Sequence, residues 1–490
     1  MEGLDLNLIK KILDENKLLK IFNIIENHDV QYISCDSRDI KNHSVFFCKG
    51  NNFKSEYLEN AIQRGTICYI SEKLYTEYSN TSYFIVTDIL KAMAIISAEF
   101  YQNPAKDLKL IGITGTKGKT TTTFFLKNIL QNFVQDEIGM LSTIEINTGL
   151  RNEESHLTTP ESIELHKLFK EIKEAELKYT VVEVSSQSYK RDRLYGVDFE
   201  YGIFTNIAED HISNVEHPTF EDYLNCKIEF LKHCKTVIIN KNTDYLDYIL
   251  SKIKDKNIIF YGTDESADYY IKDVERKGQG FEFNVINQKE EYSHKFKINM
   301  VGRFNIENAL AAIVVAKLNN VDDKSIEKAL ERTHVEGRME IFEKDGITII
   351  VDYAHNGYSF SKLFESIKLD YPNRRIISVG GIVGGKAYNR RKEFGEIVGD
   401  NSDYIYLTAD NPQFESVTDI CNDIAKYIKE KDKFEIIENR KLAIEKAIIT
   451  AKKGDVIVLL AKGGEKYIQV NNQNIEYEGD MKIAKDVLKI

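Results

Sequence analysis

A glycine-rich segment with the spacing of a phosphate-binding loop lies at residues 111–123, which read IGITGTKGKTTTT. Gly115 and Gly118 would let backbone N–H groups face a polyphosphate, and the N-terminus of the following helix adds a favourable dipole. In such a loop Lys119 reaches the β- and γ-phosphates, and the Thr120 hydroxyl binds Mg2+. The first glycine of the strict motif is displaced by one position. The alternative is therefore a glycine-rich turn with a chance Gly-Lys-Thr, but the strand–loop–helix context favours nucleotide binding.

Two further residues could bind a metal, whereas a third, Lys227, shows no such signal in the sequence alone. Glu183 lies inside the apolar run 179–184, where it could hold the metal; a strand-end carboxylate facing water is the alternative. His211, in the segment NIAEDH, could be a second metal ligand, although a lone loop histidine is more often structural. Nothing near Lys227 distinguishes it, so by sequence alone it is an ordinary solvated helical lysine.

Composition places limits on the location and the partners of the chain. The 490 residues carry a net charge of -11, which argues against nucleic acid as the main partner. No run approaches the ~18 apolar residues of a membrane helix, and the N-terminus reads as an amphipathic helix rather than a signal peptide. The 6 cysteines contain no CxxC pair and are typical of reduced thiols. We therefore expect a cytoplasmic protein without a membrane partner.

The length predicts several domains, and the element pattern divides the chain into three α/β units. Short β-like runs alternate with helical stretches in residues 1–104, which end at a proline-containing linker. A parallel α/β unit with the phosphate loop is expected over 105–336, where the polar, alternating stretch 260–300 reads as an antiparallel insertion or edge. Over 337–490, strands and helices alternate as in a doubly wound fold.

Seven motifs occur in a fixed order: GTKGKTT, TTPES, EVSSQ, NIAEDH, GRFNIENALAA, GRME and VDYAHN. In this order they resemble the Mur ligases of peptidoglycan synthesis, and among these the muramyl-tripeptide synthetases, which join a diamino acid to UDP-N-acetylmuramoyl-L-alanyl-D-glutamate. The resemblance implies a UDP-substrate-binding N-terminal module, a central ATP-binding domain and a Rossmann-like C-terminal domain that binds the amino acid. It also implies a monomer that works in cell wall synthesis.

The resemblance implies the following nucleotide-binding residues: Gly115, Thr116, Lys117, Gly118, Lys119, Thr120, Thr121, Asn305, Arg338, Asp352 and His355. It implies that Thr120, Glu183, His211 and Lys227 bind Mg2+. In that family the matching lysine is carbamoylated, so that CO2 converts its cation into an anionic N6-carboxylysine that helps to hold a second Mg2+. Lys119, Glu183, His211 and Lys227 are thereby the expected catalytic residues.

The resemblance also implies contacts to the two other substrates. The UDP-muramyl dipeptide is expected at Ser37, Thr158, Thr159, Ser185 and Arg193. The incoming amino acid is expected at Arg391, Asp410, Asn411, Pro412, Gln413 and Glu465. Gln413 stands where diaminopimelate-adding enzymes have an arginine, so this position offers no cation to bind the distal carboxylate of diaminopimelate. L-Lysine is therefore favoured, while ornithine and diaminopimelate remain alternatives.

The expected reaction is amide-bond formation driven by ATP: a carboxylate becomes an acyl phosphate, which the amine of the amino acid then attacks. A folylpolyglutamate-synthase-like ligase is the alternative on the same scaffold. A phosphate-loop NTPase acting as a switch would release phosphate without an amide product, and a non-catalytic homologue would do neither. The expected cofactors are ATP and Mg2+.

Overall fold

The computed structural model describes residues 3–50, 52–213, 216–278, 280–386 and 388–489. Across these residues, the strands form sheets of five, eleven and six strands and one two-stranded hairpin. Helices pack against the sheets, and most neighbouring strands of the three large sheets are parallel. The mixed α/β architecture expected from the sequence is thus confirmed.

The N-terminal sheet has the strand order β1-β5-β4-β3-β2, in which only the pairing of β1 with β5 is antiparallel. The amphipathic pattern at the N-terminus becomes α1, because Asp5 caps it and its apolar residues Leu6, Ile9 and Leu13 are buried on one face. The elements of this sheet and its helices are α1 (Leu6–Glu15), β1 (Leu19–Asn23), β2 (Tyr32–Ser34), β3 (Ser44–Phe47), α2 (Ser55–Gln63), β4 (Thr66–Ser71), β5 (Ser82–Val86) and α3 (Ile89–Phe100).

The central sheet has the order β16-β15-β14-β13-β12-β11-β6-β10-β7-β8-β9. Its elements are β6 (Leu110–Thr114), α4 (Lys119–Val134), β7 (Gly139–Leu141), β8 (Glu145–Asn147), β9 (Asn152–Glu154), α5 (Ser162–Glu174), β10 (Thr180–Glu183), α6 (Ser186–Lys190), β11 (Phe199–Phe204), α7 (Phe220–Lys232), β12 (Cys234–Asn240), α8 (Leu246–Lys252), β13 (Asn257–Gly262), β14 (Tyr269–Lys277), β15 (Gly280–Asn287), β16 (Tyr292–Ile298), α9 (Phe304–Leu318) and α10 (Asp323–Arg332). Strands β14 to β16 are joined by antiparallel pairing, as the alternating pattern predicted.

Both faces of the central sheet are covered by helices. Helices α4, α9 and α10 pack on one face, and α5 and α7 contribute to a second apolar cluster on the other. Strand β6 lies between β10 and β11 and is buried along its whole length. Because parallel strands covered on both faces need apolar side chains on both, β6 reads as a continuous apolar run.

The C-terminal sheet has the order β17-β18-β22-β19-β20-β21, parallel except for the edge strand β17. Helices α11 and α14 contribute to the apolar cluster on one face, and α15 and α16 to the cluster on the other. Its elements are β17 (Glu340–Lys344), β18 (Ile347–Val351), α11 (Gly357–Asp370), β19 (Ile376–Gly380), α12 (Asn389–Glu393), a π-helical turn (Phe394–Val398), α13 (Gly399–Asn401), β20 (Tyr404–Leu407), α14 (Val417–Ala425), β21 (Phe434–Ile436), α15 (Arg440–Thr450), β22 (Val456–Leu459), the hairpin β23 (Tyr467–Val470) and β24 (Gln473–Glu476), and α16 (Asp480–Leu488).

The predicted divisions after residues 104 and 336 fall between strands of different sheets. The last strand of the N-terminal sheet ends at Val86 and the first of the central sheet begins at Leu110. The central sheet ends at Ile298, and the C-terminal sheet begins at Glu340. The exact boundaries stay predictions. Within the described parts of the chain, no helix combines the length and apolar character needed to cross a bilayer.

Candidate active site

Three neighbouring parallel strands of the central sheet deliver the candidate catalytic residues to one edge. Glu183 at the end of β10 lies opposite Ile113 of β6, and Phe204 at the end of β11 lies opposite Thr114. The loops after these strands therefore meet at their carboxyl ends, which is where open α/β sheets bind ligands.

The phosphate loop connects β6 directly to α4, as the sequence predicted. Gly115 has φ +147°, and a Cβ there would lie 1.9 Å from the Thr205 hydroxyl, so the tight turn requires glycine. The Lys119 ammonium donates hydrogen bonds to the carbonyls of Gly115 at 2.9 Å and Thr116 at 3.1 Å. Burial lowers the pKa of Lys119, although the carboxylates of Glu183 and Asp210 oppose that shift.

Glu183 is fully buried beside the start of α4 and is held by hydroxyl and backbone donors. Thr120 donates to one carboxylate oxygen at 3.1 Å, and the Thr143 hydroxyl lies 2.9 Å from the same oxygen. The backbone N–H of Thr143 donates to the other oxygen at 3.1 Å. Burial raises the pKa of Glu183. A carboxylate beside a hydroxyl is the hard oxygen donor set that suits Mg2+.

Lys227 lies on α7 but is buried rather than solvated, so the sequence-only interpretation of this residue was wrong. Its ammonium donates to the Gly115 carbonyl at 2.8 Å and lies 4.6 Å from the centre of the Tyr223 ring. Burial and the neighbouring charge of Lys119 hold the pKa of Lys227 well below its usual range. A lowered pKa favours the neutral amine, which is the nucleophilic form of a lysine side chain.

His211 follows β11 and lies in the left-handed region with φ 58°. Its Nδ1 is 3.1 Å from the Glu216 carboxylate. Its neighbour Asp210 is buried and accepts hydrogen bonds from Arg390 at 2.6 Å and Asn356 at 2.5 Å, both in the C-terminal part of the chain. Burial alone would raise the pKa of Asp210. The positive charges around the carboxylate have the larger effect and hold its pKa well below the usual range.

A cavity of about 610 Å³ lies between the phosphate loop and the C-terminal sheet. Many of the expected nucleotide residues line it, namely Thr116, Lys117, Gly118, Lys119, Thr120, Thr121, Asn305, Arg338, Asp352 and His355, as do Thr158 and His211. Lys117 and His355 meet across it, with Nζ 3.5 Å from Nε2. Because His355 Nδ1 faces the Tyr353 carbonyl at 2.7 Å, Nδ1 carries the proton and Nε2 accepts.

The residues expected to hold the muramyl dipeptide form a connected group beside Glu183. The Thr159 hydroxyl donates to the Glu183 carbonyl at 2.7 Å and accepts from the Ser185 N–H at 3.1 Å. Arg193 donates to the Thr159 carbonyl at 2.8 Å. Ser37 belongs to the N-terminal sheet, in the loop after β2, and does not line the cavity.

The residues expected to bind the amino acid form two charged groups in the C-terminal sheet. Arg391 is buried and donates to Glu415 and Asp423, each at 2.8 Å. The second group surrounds the buried ammonium of Lys462, which contacts Glu465 at 2.5 Å, Asn411 at 3.0 Å and Asp410 at 3.9 Å.

A hydrogen bond between two glutamines connects the loop after β20, which contains Asp410 and Asn411, to the hairpin β23–β24. The Gln413 amide donates to Gln469 of the hairpin at 2.7 Å, and the Pro412 carbonyl abuts Gly384. Burial raises the pKa of Asp410 to about 6.

Known sequences match the chain over nearly its whole length. The profile of the Mur ligase middle domain matches residues 113–316, and that of the Mur ligase glutamate ligase domain matches residues 337–463. A UDP-N-acetylmuramyl-tripeptide synthetase of Ligilactobacillus salivarius (strain UCC118) is 35% identical, with 98% of each chain covered. The chain belongs to the Mur ligase family.

Two further comparisons agree with membership of the Mur ligase family. A UDP-N-acetylmuramoyl-L-alanyl-D-glutamate--L-lysine ligase of Enterococcus faecalis (strain ATCC 700802 / V583) is 35% identical over 97% of both chains. A solved UDP-N-acetylmuramoyl-L-alanyl-D-glutamate--2,6-diaminopimelate ligase has a TM-score of 0.64 and 22% identity, covering 94% of this chain and 95% of its own, which shows the shared fold. As a Mur ligase the protein is an ATP-dependent ligase, as the sequence predicted.

Sequence reasoning missed several residues of this Mur ligase site. Thr143 contacts Glu183 twice, but it lies in an unremarkable loop and no spacing rule connects it to the phosphate loop. Asp210 could have been considered because it precedes His211 in the same motif. Lys462 looks like a surface lysine in a glycine-rich turn, and only the fold reveals that it is completely buried.

Proposed function

We propose that the protein joins L-lysine to the D-glutamate of UDP-N-acetylmuramoyl-L-alanyl-D-glutamate, with ATP converted to ADP and phosphate. The carrying observation is the cavity in which the phosphate loop and Lys119 face Arg338, Asp352 and His355 of the C-terminal part. A nucleotide bound there would hold its phosphates between the two domains, beside the residues assigned to the muramyl dipeptide.

Mg2+ would be held by Thr120 and Glu183, whose oxygens already face each other at 3.1 Å. His211 is the third proposed ligand, since it lines the same cavity. The metal supplies positive charge that offsets the repulsion between the substrate carboxylate and the ATP phosphates. Within the protein, Lys119 adds a second cation at the same phosphates, and the buried position strengthens its effect.

Lys227 is proposed to act as N6-carboxylysine. Burial and the charge of Lys119 lower the pKa of Lys227 and so favour the neutral amine, which is the form that attacks CO2. The nitrogen gains a carboxylate and loses a proton, so the neutral amine becomes an anion next to the phosphate loop. The change would place a negative charge near the Gly115 carbonyl, which now lies 2.8 Å from the lysine nitrogen, and would supply a further oxygen ligand for Mg2+.

In the proposed reaction, an oxygen of the D-glutamate carboxylate attacks the γ-phosphorus, and the bond to the β,γ-bridging oxygen breaks to release ADP. The α-amine of lysine then attacks the acyl carbon, loses a proton, and expels inorganic phosphate to leave the amide. Water would hydrolyse the acyl phosphate, so exclusion of solvent matters. The Asp210 contacts with Arg390 and Asn356 support docking of the C-terminal domain over the site.

The preference for lysine rests on the charges of the C-terminal pocket. The side chain of Gln413 is a neutral amide that is already hydrogen-bonded to Gln469. Neither glutamine carries a positive charge that could bind the distal carboxylate of diaminopimelate. Asp410 and Glu465 supply two acids against the one cation of Lys462, which leaves one negative charge for a side-chain ammonium. Arg391 is the proposed partner of the α-carboxylate, because a guanidinium binds carboxylates in a bidentate manner.

The domain roles complete the proposal. Residues 1–104 would bind the UDP end through Ser37, residues 105–336 would bind ATP and the dipeptide, and residues 337–490 would bind lysine. The enzyme would act as a cytoplasmic monomer on small molecules, without nucleic acid or membrane partners.

Mass spectrometry of the product tests the proposal directly. Purified protein would receive ATP, Mg2+, UDP-muramyl dipeptide and one amino acid at a time: L-lysine, L-ornithine or meso-diaminopimelate. The expected product is the lysine-containing tripeptide. Preferred use of diaminopimelate would refute the amino-acid assignment. Amine-dependent ADP release with a folate but not with the muramyl dipeptide would instead favour a folylpolyglutamate-synthase-like ligase.

A further inference from the structure

His217 lies between β11 and α7, is completely buried, and does not line the cavity of the candidate active site. Its two ring nitrogens contact different helices. Nδ1 lies 2.6 Å from the carboxylate of Asp222 in the first turn of α7, and Nε2 lies 2.9 Å from the hydroxyl of Ser186, the first residue of α6. An ionised carboxylate can only accept hydrogen bonds, so Nδ1 carries the proton, and Nε2 of the neutral ring accepts from Ser186. The imidazole therefore connects α6 to α7.

A lysine adds a second connection between the same two helices. Lys190, the last residue of α6, donates to the other carboxylate oxygen of Asp222 at 2.6 Å. His217, Asp222 and Cys226 lie close enough together to suggest a metal site of their own. However, both carboxylate oxygens and both ring nitrogens already have hydrogen-bond partners within the protein. We therefore interpret these contacts as a brace between two helices.

The backbone of His217 supports the loop that contains His211. The His217 N–H donates to the His211 carbonyl at 3.2 Å, and the His217 carbonyl accepts from the Ser213 N–H at 2.8 Å. His211 has φ 58°, in the left-handed region that costs free energy for a residue other than glycine, so this loop conformation requires such support. His217 thus contacts the loop of one proposed Mg2+ ligand and the helix of another, Lys227.

Tyr223 lies between His217, Lys227 and the phosphate loop. The ring centres of Tyr223 and His217 are 5.2 Å apart in an edge-to-face arrangement. The Tyr223 hydroxyl is 3.1 Å from Oγ1 of Thr116, and Nζ of Lys227 is 4.6 Å from the centre of the Tyr223 ring. Because residues four positions apart share one face of a helix, a shift in the first turn of α7 moves Tyr223 and Lys227 together relative to the phosphate loop.

We infer that His217 is a positioning residue for the Mg2+ site: its ring fixes the first turn of α7, which sets the position of Lys227, and its backbone fixes His211. The inference rests on the proposed function, in which Lys227 and His211 bind the metal. Mg2+ requires near-octahedral geometry with oxygen ligands at about 2.1 Å, so a small displacement of a ligand weakens its binding. Replacement of residues that orient metal ligands typically lowers metal affinity by about 10- to 100-fold.

Metal binding by His217→Leu tests the inference without relying on turnover. The leucine is apolar and removes both hydrogen bonds of the ring. Mn2+, a paramagnetic substitute for Mg2+, would be titrated into the nucleotide-free protein in buffer equilibrated with CO2, and electron paramagnetic resonance would report the free ion. We expect His217→Leu to raise the Kd for Mn2+ at least about tenfold. His217→Asn should restore most of the affinity, because its amide can donate to Asp222 as Nδ1–H does.

His166→Leu is the matched control. His166 is also buried in the central domain, but neither of its ring nitrogens has a hydrogen-bond partner among the residues that the structure describes. Its replacement should change the Kd for Mn2+ by less than about twofold. In kinetics, the free Mg2+ concentration for half-maximal turnover should rise in His217→Leu, whereas the KM for L-lysine should stay within about twofold of the wild-type value.

Two outcomes would overturn the inference. If His217→Leu folds and binds Mn2+ as tightly as the wild type, His217 only stabilises the fold. If His166→Leu weakens Mn2+ binding as much as His217→Leu does, the loss reflects general destabilisation of the domain rather than the position of the ligands.

Ser186→Ala keeps the test decisive if His217→Leu does not fold, because it removes only the hydrogen bond to Nε2. This variant should raise the Kd for Mn2+ at least about threefold, and an unchanged Kd would contradict the role of His217. Lysine-dependent ADP release by the wild-type protein tests the proposed function separately, since the Mn2+ titration requires no turnover.

Discussion

Replacement of Lys119 by alanine removes the phosphate-loop cation that is expected to bind the β- and γ-phosphates. Its ammonium donates hydrogen bonds to the carbonyls of Gly115 and Thr116 at 2.9 and 3.1 Å, and because both acceptors are neutral its charge is available to a polyphosphate. One charge pair at about 4 Å with an effective dielectric constant near 20 contributes about 4 kcal/mol. If this interaction operates in the transition state, its loss lowers kcat/KM by about a thousandfold.

The assay is amino-acid-dependent ADP release at saturating UDP-muramyl dipeptide. Lys127→Ala is the matched control, since Lys127 lies on the same helix and pairs with Glu145 rather than facing the loop. Thermal unfolding of each variant verifies that the fold survives. A Lys119→Ala enzyme that retains more than about a tenth of the wild-type rate would refute the reasoning, because the loss would then be below 1.4 kcal/mol.

Three further changes test other parts of the site. Lys227→Ala should abolish turnover, and formate or acetate should partly restore it by supplying the missing carboxylate; full activity without either acid would remove Lys227 from the mechanism. Gln413→Arg should improve kcat/KM for meso-diaminopimelate relative to L-lysine, measured by product mass spectrometry, because it adds a cation for the distal carboxylate; an unchanged ratio would contradict the assignment of this pocket. Burial lowers the pKa of His166 to about 4, so the unfolded chain binds more protons between about pH 4 and 6.5 and stability falls as pH drops through that window. Between pH 7 and 5 this one group should cost about 2 kcal/mol in urea denaturation, and His166→Leu should abolish that share of the pH dependence; an identical pH slope in both proteins would exclude a neutral, buried His166.

The sequence by itself determined the phosphate loop and its place between β6 and α4. Glycine spacing, the apolar strand and the helix pattern are all local features, and the backbone conformation that they require is local as well. The position of Glu183 at a strand end could also be predicted, because a carboxylate within an apolar run is unusual. The ordered motifs further identified the family, which the comparisons confirmed.

Only the tertiary structure decided the environments of the charged side chains. Lys227 has the helical spacing of a solvated lysine, but the packing of α7 beneath the phosphate loop buries it and depresses its pKa. Lys49 and Arg193 lie 144 positions apart in the sequence, yet Glu161 brings them together. The periodicity of a sequence shows which face of a helix or strand is apolar. The burial and ion pairing of its charged side chains depend instead on which distant part of the chain packs against that element.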